Sequence, residues 1–137
     1  MIWKEEYKIG VPLIDEQHEE LFSRVTVFVD TIRSDRLWND KVNKVNETLE
    51  FMKDYVVTHF RDEEDYQKEI GYPEAERHRK IHQDMVSYIE MITKQNEING
   101  CKEIVMQQFA GRIVTWLVNH VVGEDQKVAE FAKQAGL

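Results

Sequence analysis

Apolar residues recur at alternating steps of four and three along successive stretches of this 137-residue chain, and that spacing admits little besides helices packed face to face. The first stretch reads Ile14, His18, Leu21, Val25, Phe28, Ile32. The second reads Val42, Val45, Leu49, Met52, Val56, His59, Glu63, Tyr66, Ile70. The third reads Ala75, His78, His82, Met85, Ile89, Ile92, and the fourth Met106, Phe109, Ile113, Trp116, His120. Punctuation falls between them. Pro12 precedes the first helix, Ser34-Asp35 breaks the chain, and Asn39 suits an N-cap for the second helix. Gly71 suits a helix C-terminus with Pro73 restarting the chain, and Asn99-Gly100 is a turn signal. Only two prolines and six glycines occur in total, which favours long helices over many strands.

The expected fold is therefore all-α: an antiparallel up-down-up-down four-helix bundle with an extended N-terminal arm of about ten residues. Gly123 loosens the end of the fourth helix, and a short C-terminal helix over residues 127–134 packs across one end. The length suits a single domain spanning 1–137. A net charge of −8 repels phosphate backbones, so nucleic acid is not an expected partner. No apolar run approaches a membrane span, and MIWKEEYKIG lacks the apolar core of a signal peptide, so a cytoplasmic protein without membrane attachment is expected. The one cysteine, Cys101, cannot form an internal disulfide and reads as a small, partly buried residue near a helix start. The run Arg61-Asp62-Glu63-Glu64-Asp65 reads as a solvated helix face from which only Glu63 turns inward, and Tyr66 and Tyr88 read as core residues, with a supporting place behind the histidines as the alternative.

All five histidines stand where the core should be. One buried histidine is ordinarily a hydrogen-bonded core residue. Five of them plus Glu63, on the seams of four helices, are different, because burying unpaired polar groups costs several kcal/mol each in an apolar medium. His59 and Glu63 are four apart, as are His78 and His82, so each pair projects from one helix face. At ~1.5 Å per residue both pairs lie roughly 10 to 18 Å from the turn at Gly71-Tyr72. His18, near the start of the first helix, and His120, near the end of the fourth, fall beside that same turn. His120 and Asp125 are five apart, which a regular helix does not align; local unwinding at Gly123 is the expected means of turning Asp125 inward. Five imidazoles and two carboxylates exceed the four ligands one zinc prefers. They suit two transition metals bridged by the carboxylates, with iron the best compromise between imidazole and carboxylate preferences. A one-metal site and a structural histidine cluster are the alternatives.

The stretches IWKEEYKIGVPLIDEQH, HFRDEE, HRKIH and WLVNHVVGED, with the separated set H…HxxxE…HxxxH…HxxxxD, resemble the hemerythrin family over nearly the whole chain, above all its single-domain bacterial members. All seven positions match; Val121 stands where isoleucine is frequent in the family. The resemblance implies that His78, His82 and His120 bind one iron and His18 and His59 the other. Glu63 and Asp125 then bridge the two irons (Fe2+/Fe3+), with a solvent-derived oxo or hydroxo group as third bridge. It implies that the second iron keeps an open position for dioxygen, with azide or nitric oxide as other small ligands, and that Phe60, Trp116, Leu117 and Val121 surround it. The implied function is reversible dioxygen binding for transport, storage or delivery, without enzymatic turnover. The alternatives are a di-iron oxidase or ferroxidase, an oxygen or redox sensor, and a nitric oxide or iron-handling protein. Di-iron oxidases use Glu-x-x-His pairs, and no such pair lies on an inner face here. The sequence names no protein partner, and a sensor role needs a separate signalling partner.

Overall fold

The computed structural model describes residues 3–137. A short 3-10 turn, Glu5–Tyr7, precedes four long helices: α1 Pro12–Arg33, α2 Trp38–Ile70, α3 Ala75–Asn99 and α4 Glu103–Asn119. One π turn, His120–Glu124, joins α4 directly to α5, Asp125–Gln134. No strand occurs among the described residues, and no described helix is long and apolar enough to cross a membrane. α1 lies against both α2 and α4, and α2 lies also against α3. This is the antiparallel four-helix bundle expected from the four-and-three spacing.

Local chemistry sets the helix ends. Pro12 occupies the first turn of α1, where its missing N–H costs nothing. α2 stops at Gly71, whose φ of 69° is left-handed. There the Tyr72 N–H reaches the Gln67 carbonyl at 2.9 Å and the Gly71 N–H reaches that of Lys68 at 3.2 Å, closing two otherwise free carbonyls. The N-terminal arm is anchored by Asp15, whose carboxylate accepts the N–H groups of Ile9 (2.7 Å) and Gly10 (3.1 Å). Trp3 then lies edge-on to Phe22 with centroids 5.4 Å apart, and the Gln126 amide donates to the Tyr7 carbonyl at 2.8 Å. The arm thus closes over the end of the bundle where α1 and α5 meet. Its first two residues lie outside the described ones, and the rest carries one helical turn rather than being extended throughout.

The core fills the opposite end and the middle. Phe28, Val45, Met106 and Phe109 are fully buried, with Phe28 and Phe109 edge-to-face at 5.7 Å. The Trp38 indole N–H donates to the Cys101 carbonyl at 2.8 Å, tying the start of α2 to the turn after α3. Cys101 is half-buried there and free.

Several expected details differ. Asn39 does not cap α2; the cap position is Leu37, in extended conformation and with no side-chain bond. At the ends of α2 the buried residues are Lys41 and Gln67, while Val42, Tyr66 and Ile70 are only half-buried. Steps of four and three average 3.5 residues per turn, and a straight helix of 3.6 drifts about 20° per heptad away from them. Between residues 42 and 70 that drift approaches one residue's rotation, so the inner face passes to Lys41 at one end and Gln67 at the other. Tyr88 is likewise half-buried, lying against Phe109 at 5.6 Å with the Arg112 guanidinium over its ring. The C-terminal helix begins at Asp125 and continues α4 without a loop.

Lys41 is 4% exposed, and its ammonium donates to the carbonyls of Ile32 and Ser34 at the end of α1. It closes carbonyls that the helix leaves open and complements the negative helix end. Lys41→Met keeps the apolar stem and removes the donors. It is expected to cost about 1–3 kcal/mol of unfolding free energy, read as a lower denaturant midpoint; an unchanged midpoint would remove Lys41 from this role.

Candidate metal centre

The seven side chains singled out in the sequence come from α1, α2, α3, the π turn after α4 and the start of α5. His18 rises from the second turn of α1, His59 and Glu63 from the C-terminal half of α2, and His78 and His82 from the start of α3. His120 opens the π turn, and Asp125 closes it through an N–H to the His120 carbonyl. That five-residue bond supplies the wider turn which brings residues five apart onto one face. Gly123 sits inside the turn with no left-handed φ, and the local unwinding expected there takes the form of this π turn, which points Asp125 inward. All seven side chains are at most 4% exposed.

Their donor atoms fall into two sets. His78 Nε2 and His82 Nε2 each lie 3.0 Å from His120 Nε2. Glu63 Oε1 is 2.9 Å from His78 Nε2 and 3.3 Å from His82 Nε2. Asp125 Oδ1 is 3.1 Å from His78 Nε2 and 3.2 Å from His120 Nε2. The other two oxygens face the other two imidazoles: Glu63 Oε2 is 3.1 Å from both His18 Nε2 and His59 Nε2, and Asp125 Oδ2 is 3.1 Å from His18 Nε2. Each carboxylate therefore gives one oxygen to a set of three nitrogens and one to a set of two.

Hydrogen bonding does not explain this convergence. One proton can lie on only one of the lines joining three imidazole nitrogens. Glu63 Oε1 and both Asp125 oxygens are buried without a properly directed hydrogen bond, although nitrogens stand about them at contact distance. Neither carboxylate has a lysine or arginine at ion-pair distance among the described residues. A metal satisfies all of these atoms together. With bonds of about 2.1 Å, adjacent corners of an octahedron stand roughly 3.0 Å apart, which matches the spacing within the three-nitrogen set. Two groupings can each hold an ion: Glu63 with His78, His82 and His120, and Glu63 with His18 and His59.

The Nδ1 atoms of His59 and His82 face partners that spacing does not reveal. His59 Nδ1 is 2.8 Å from Gln17 Oε1, and the Gln17 amide in turn donates to Asp62 at 2.8 Å. His82 Nδ1 is 2.8 Å from Glu64. Asp62 and Glu64, expected merely to face solvent, instead orient imidazoles from the edge of the site. Such partners fix the ring and its tautomer. On the outer face of the π turn, Arg77 on α3 meets Glu124 at 2.6 Å.

One wall of the site is apolar. The Phe60 ring stacks on His82 at 3.9 Å and the Trp116 ring on His120 at 4.4 Å. Phe60, Trp116 and Leu117 share the lining of a cavity of about 20 Å³ with Leu21, Met85 and Ile113, just inside the histidine layer. Val121 is buried but does not line that cavity, and Trp116 is only half-buried.

The family profile described as Hemerythrin HHE cation binding domain matches residues 9–132. The chain belongs to the hemerythrin family. Among its relatives is the bacteriohemerythrin of Clostridium acetobutylicum, 27% identical over 126 residues that make up 92% of this chain and 96% of that one. The myohemerythrin of Theromyzon tessulatum is 29% identical over 125 residues, 91% of this chain and 88% of that one. A crystal structure of wild-type hemerythrin superposes with a TM-score of 0.82 at 25% identity, covering 95% of each chain. The hemerythrin bundle thus extends over nearly the whole chain.

The electrostatics of the centre make metal and protons competitors. Burial opposes charge on His18, but the carboxylates of Asp125 and Glu63 beside its Nε2 outweigh it and raise its pKa from 6.5 to about 9. His120, buried too, is raised from 6.5 to about 10 by the same two carboxylates. Burial works against the Asp125 charge, as does Glu63, yet the imidazoles hold its pKa at about 2. His59 moves the other way, because burial dominates there. Without metal, the raised histidines stabilise the fold fully below pH 6.5, and this contribution is lost as pH rises through about 9 and 10. The Asp125 contribution is present above its ordinary 3.8 and lost as pH falls toward 2. Metal needs unprotonated nitrogens, so loading at pH 7 is expected to expel protons, those of His18 and His120 among them. Calorimetry in buffers of different ionisation enthalpy measures the number released, and loading without proton release would contradict the charge state described.

Proposed function

We propose that this chain holds two irons in the centre and binds dioxygen there reversibly, as a carrier, storage or delivery protein. The observation that carries the reading is the unequal division of nitrogens, three against two, around carboxylates that serve both sets. In this reading His78, His82 and His120 hold one iron, His18 and His59 the other, and Glu63 and Asp125 span them with a solvent-derived oxo or hydroxo group. The side with two nitrogens has room for an outside ligand: dioxygen, or a small molecule such as azide or nitric oxide. Iron supplies the redox chemistry by which dioxygen is held.

The chain's own contribution is to limit that chemistry. Phe60, Trp116 and Leu117 present carbon to the site, and a cavity lined in this way stays dry. Protons and water are kept from the ligand, which favours release over reduction to water. Gln17 and Glu64 hold the His59 and His82 rings in place, so little reorganisation accompanies a change of oxidation state. The donor set is rich in neutral nitrogen and poor in anionic oxygen, which favours binding over the turnover of a carboxylate-rich oxidase.

Protein made in iron-replete cells is expected to carry two irons per chain. After anaerobic reduction it should develop, on exposure to air, a charge-transfer band that disappears on deoxygenation over repeated cycles. One zinc per chain, or steady oxygen consumption with turnover of a reductant, would sink the carrier reading.

Leu117→Ala tests the apolar wall. A core truncation alone costs about 2–5 kcal/mol of stability. Loss of the wall should additionally speed decay of the air-developed spectrum to the fully oxidised state and ease azide binding, with iron content unchanged. Equal decay rates in variant and parent would leave Leu117 an ordinary core residue.

A further inference from the structure

Gln67 is fully buried, and neither oxygen nor nitrogen of its carboxamide has a hydrogen-bond partner within the protein. An amide in that condition is costly, and an apolar residue of similar size would avoid the cost. Three buried ring nitrogens share the condition, Trp3 Nε1, His18 Nδ1 and His78 Nδ1, and of these His78 is the one carried by the helix paired with α2 beside Gly71. The pairing of α2 with α3 brings Gln67 and His78 to one level. Glu64 on α2 reaches His82 Nδ1 on α3 at 2.8 Å. One turn nearer to Gly71 on both antiparallel helices, Glu64 is replaced by residues 67–68 and His82 by His78. Helical side chains lean over the turn preceding them, so the Gln67 carboxamide leans toward Glu63 and the histidine layer, away from Gly71.

We propose that Gln67 is the outer partner of His78, joined to it through one buried water. The water accepts the His78 Nδ1–H and donates to Gln67 Oε1, which gives it the two polar partners a buried water needs. The inference rests on the di-iron reading in one respect: with Nε2 turned to metal, the proton of His78 resides on Nδ1. Gln67 is then a positioning residue for the centre. It also makes α3 asymmetric, because His82 is backed by a carboxylate and His78 by a neutral amide. The weaker acceptor leaves the His78 imidazole a poorer electron donor than His82, which favours the reduced centre.

The test uses iron-loaded protein with nitrogen-15 histidine, comparing the parent with Gln67→Met and Gln67→Glu. A crystal structure of the parent should show a water within hydrogen-bond distance of both Gln67 Oε1 and His78 Nδ1, and Gln67→Met should lose it. In the magnetic resonance spectrum, Gln67→Met should move the His78 Nδ1–H signal while leaving that of His82 in place. Gln67→Glu, a stronger acceptor, should move the same signal in the opposite direction. If Gln67 is only a buried amide, Gln67→Met leaves the His78 signal unmoved and raises the thermal unfolding midpoint; that result overturns the proposal, as does a parent structure with no such water. Iron is counted on the same samples. Fewer than two irons per chain overturns the di-iron reading, and the crystallographic water still decides the link between Gln67 and His78.

Discussion

Two carboxylates and five imidazoles sealed inside a helical bundle form the constraint on which the rest of the structure depends. Their desolvation costs several kcal/mol per group if nothing compensates. The bundle answers by confining them to a single layer beside the α2–α3 turn and by filling the remaining length with close-packed carbon. Phe28, Phe109 and Met106 supply the stability that the histidine layer cannot. The arm, through Trp3 and the Asp15 anchor, closes the end that would otherwise let water reach that layer. Core and centre are thus segregated along the bundle axis, not mixed.

Segregation also shapes the electrostatics. Among the described residues Glu63 and Asp125 face only imidazoles, so the charge of the centre is adjustable by protons or metal and is not set by a fixed cation there. A lysine or arginine in this layer would neutralise the carboxylates permanently and repel metal. The buried lysine of the chain, Lys41, is instead kept at the start of α2, where it serves helix carbonyls.

Most of the fold and the identity of the converging side chains were legible in the sequence, because four-and-three spacing reports directly which residues share a helix face. His18, His59, Glu63, His78, His82 and His120 follow from that rule alone. Asp125 did not, since its inward direction depends on a backbone hydrogen bond of unusual span; the sequence showed only that something irregular had to happen near Gly123. Lys41 and Gln67 were missed because an idealised 3.5-residue repeat was carried along a helix of 33 residues. Gln17, Asp62 and Glu64 were hidden for another reason. They sit on the flanks of their helices, where the partner depends on how neighbouring helices are rotated against each other, and periodicity within one helix holds no record of that.

The π turn at His120–Glu124 amounts to one surplus residue held within a continuous helix. In an unbroken α-helix, one residue more or fewer rotates everything downstream by about 100°. The phase that aims Asp125 at the centre is therefore the phase that buries Val128 and Ala132 and sets Phe131 against Tyr72 at 5.6 Å. A ligand and a docking surface are geared to the same rotation. The last ten helical residues act as a lever fixed to the centre at its short end, and neither its seat nor the carboxylate can be re-phased alone.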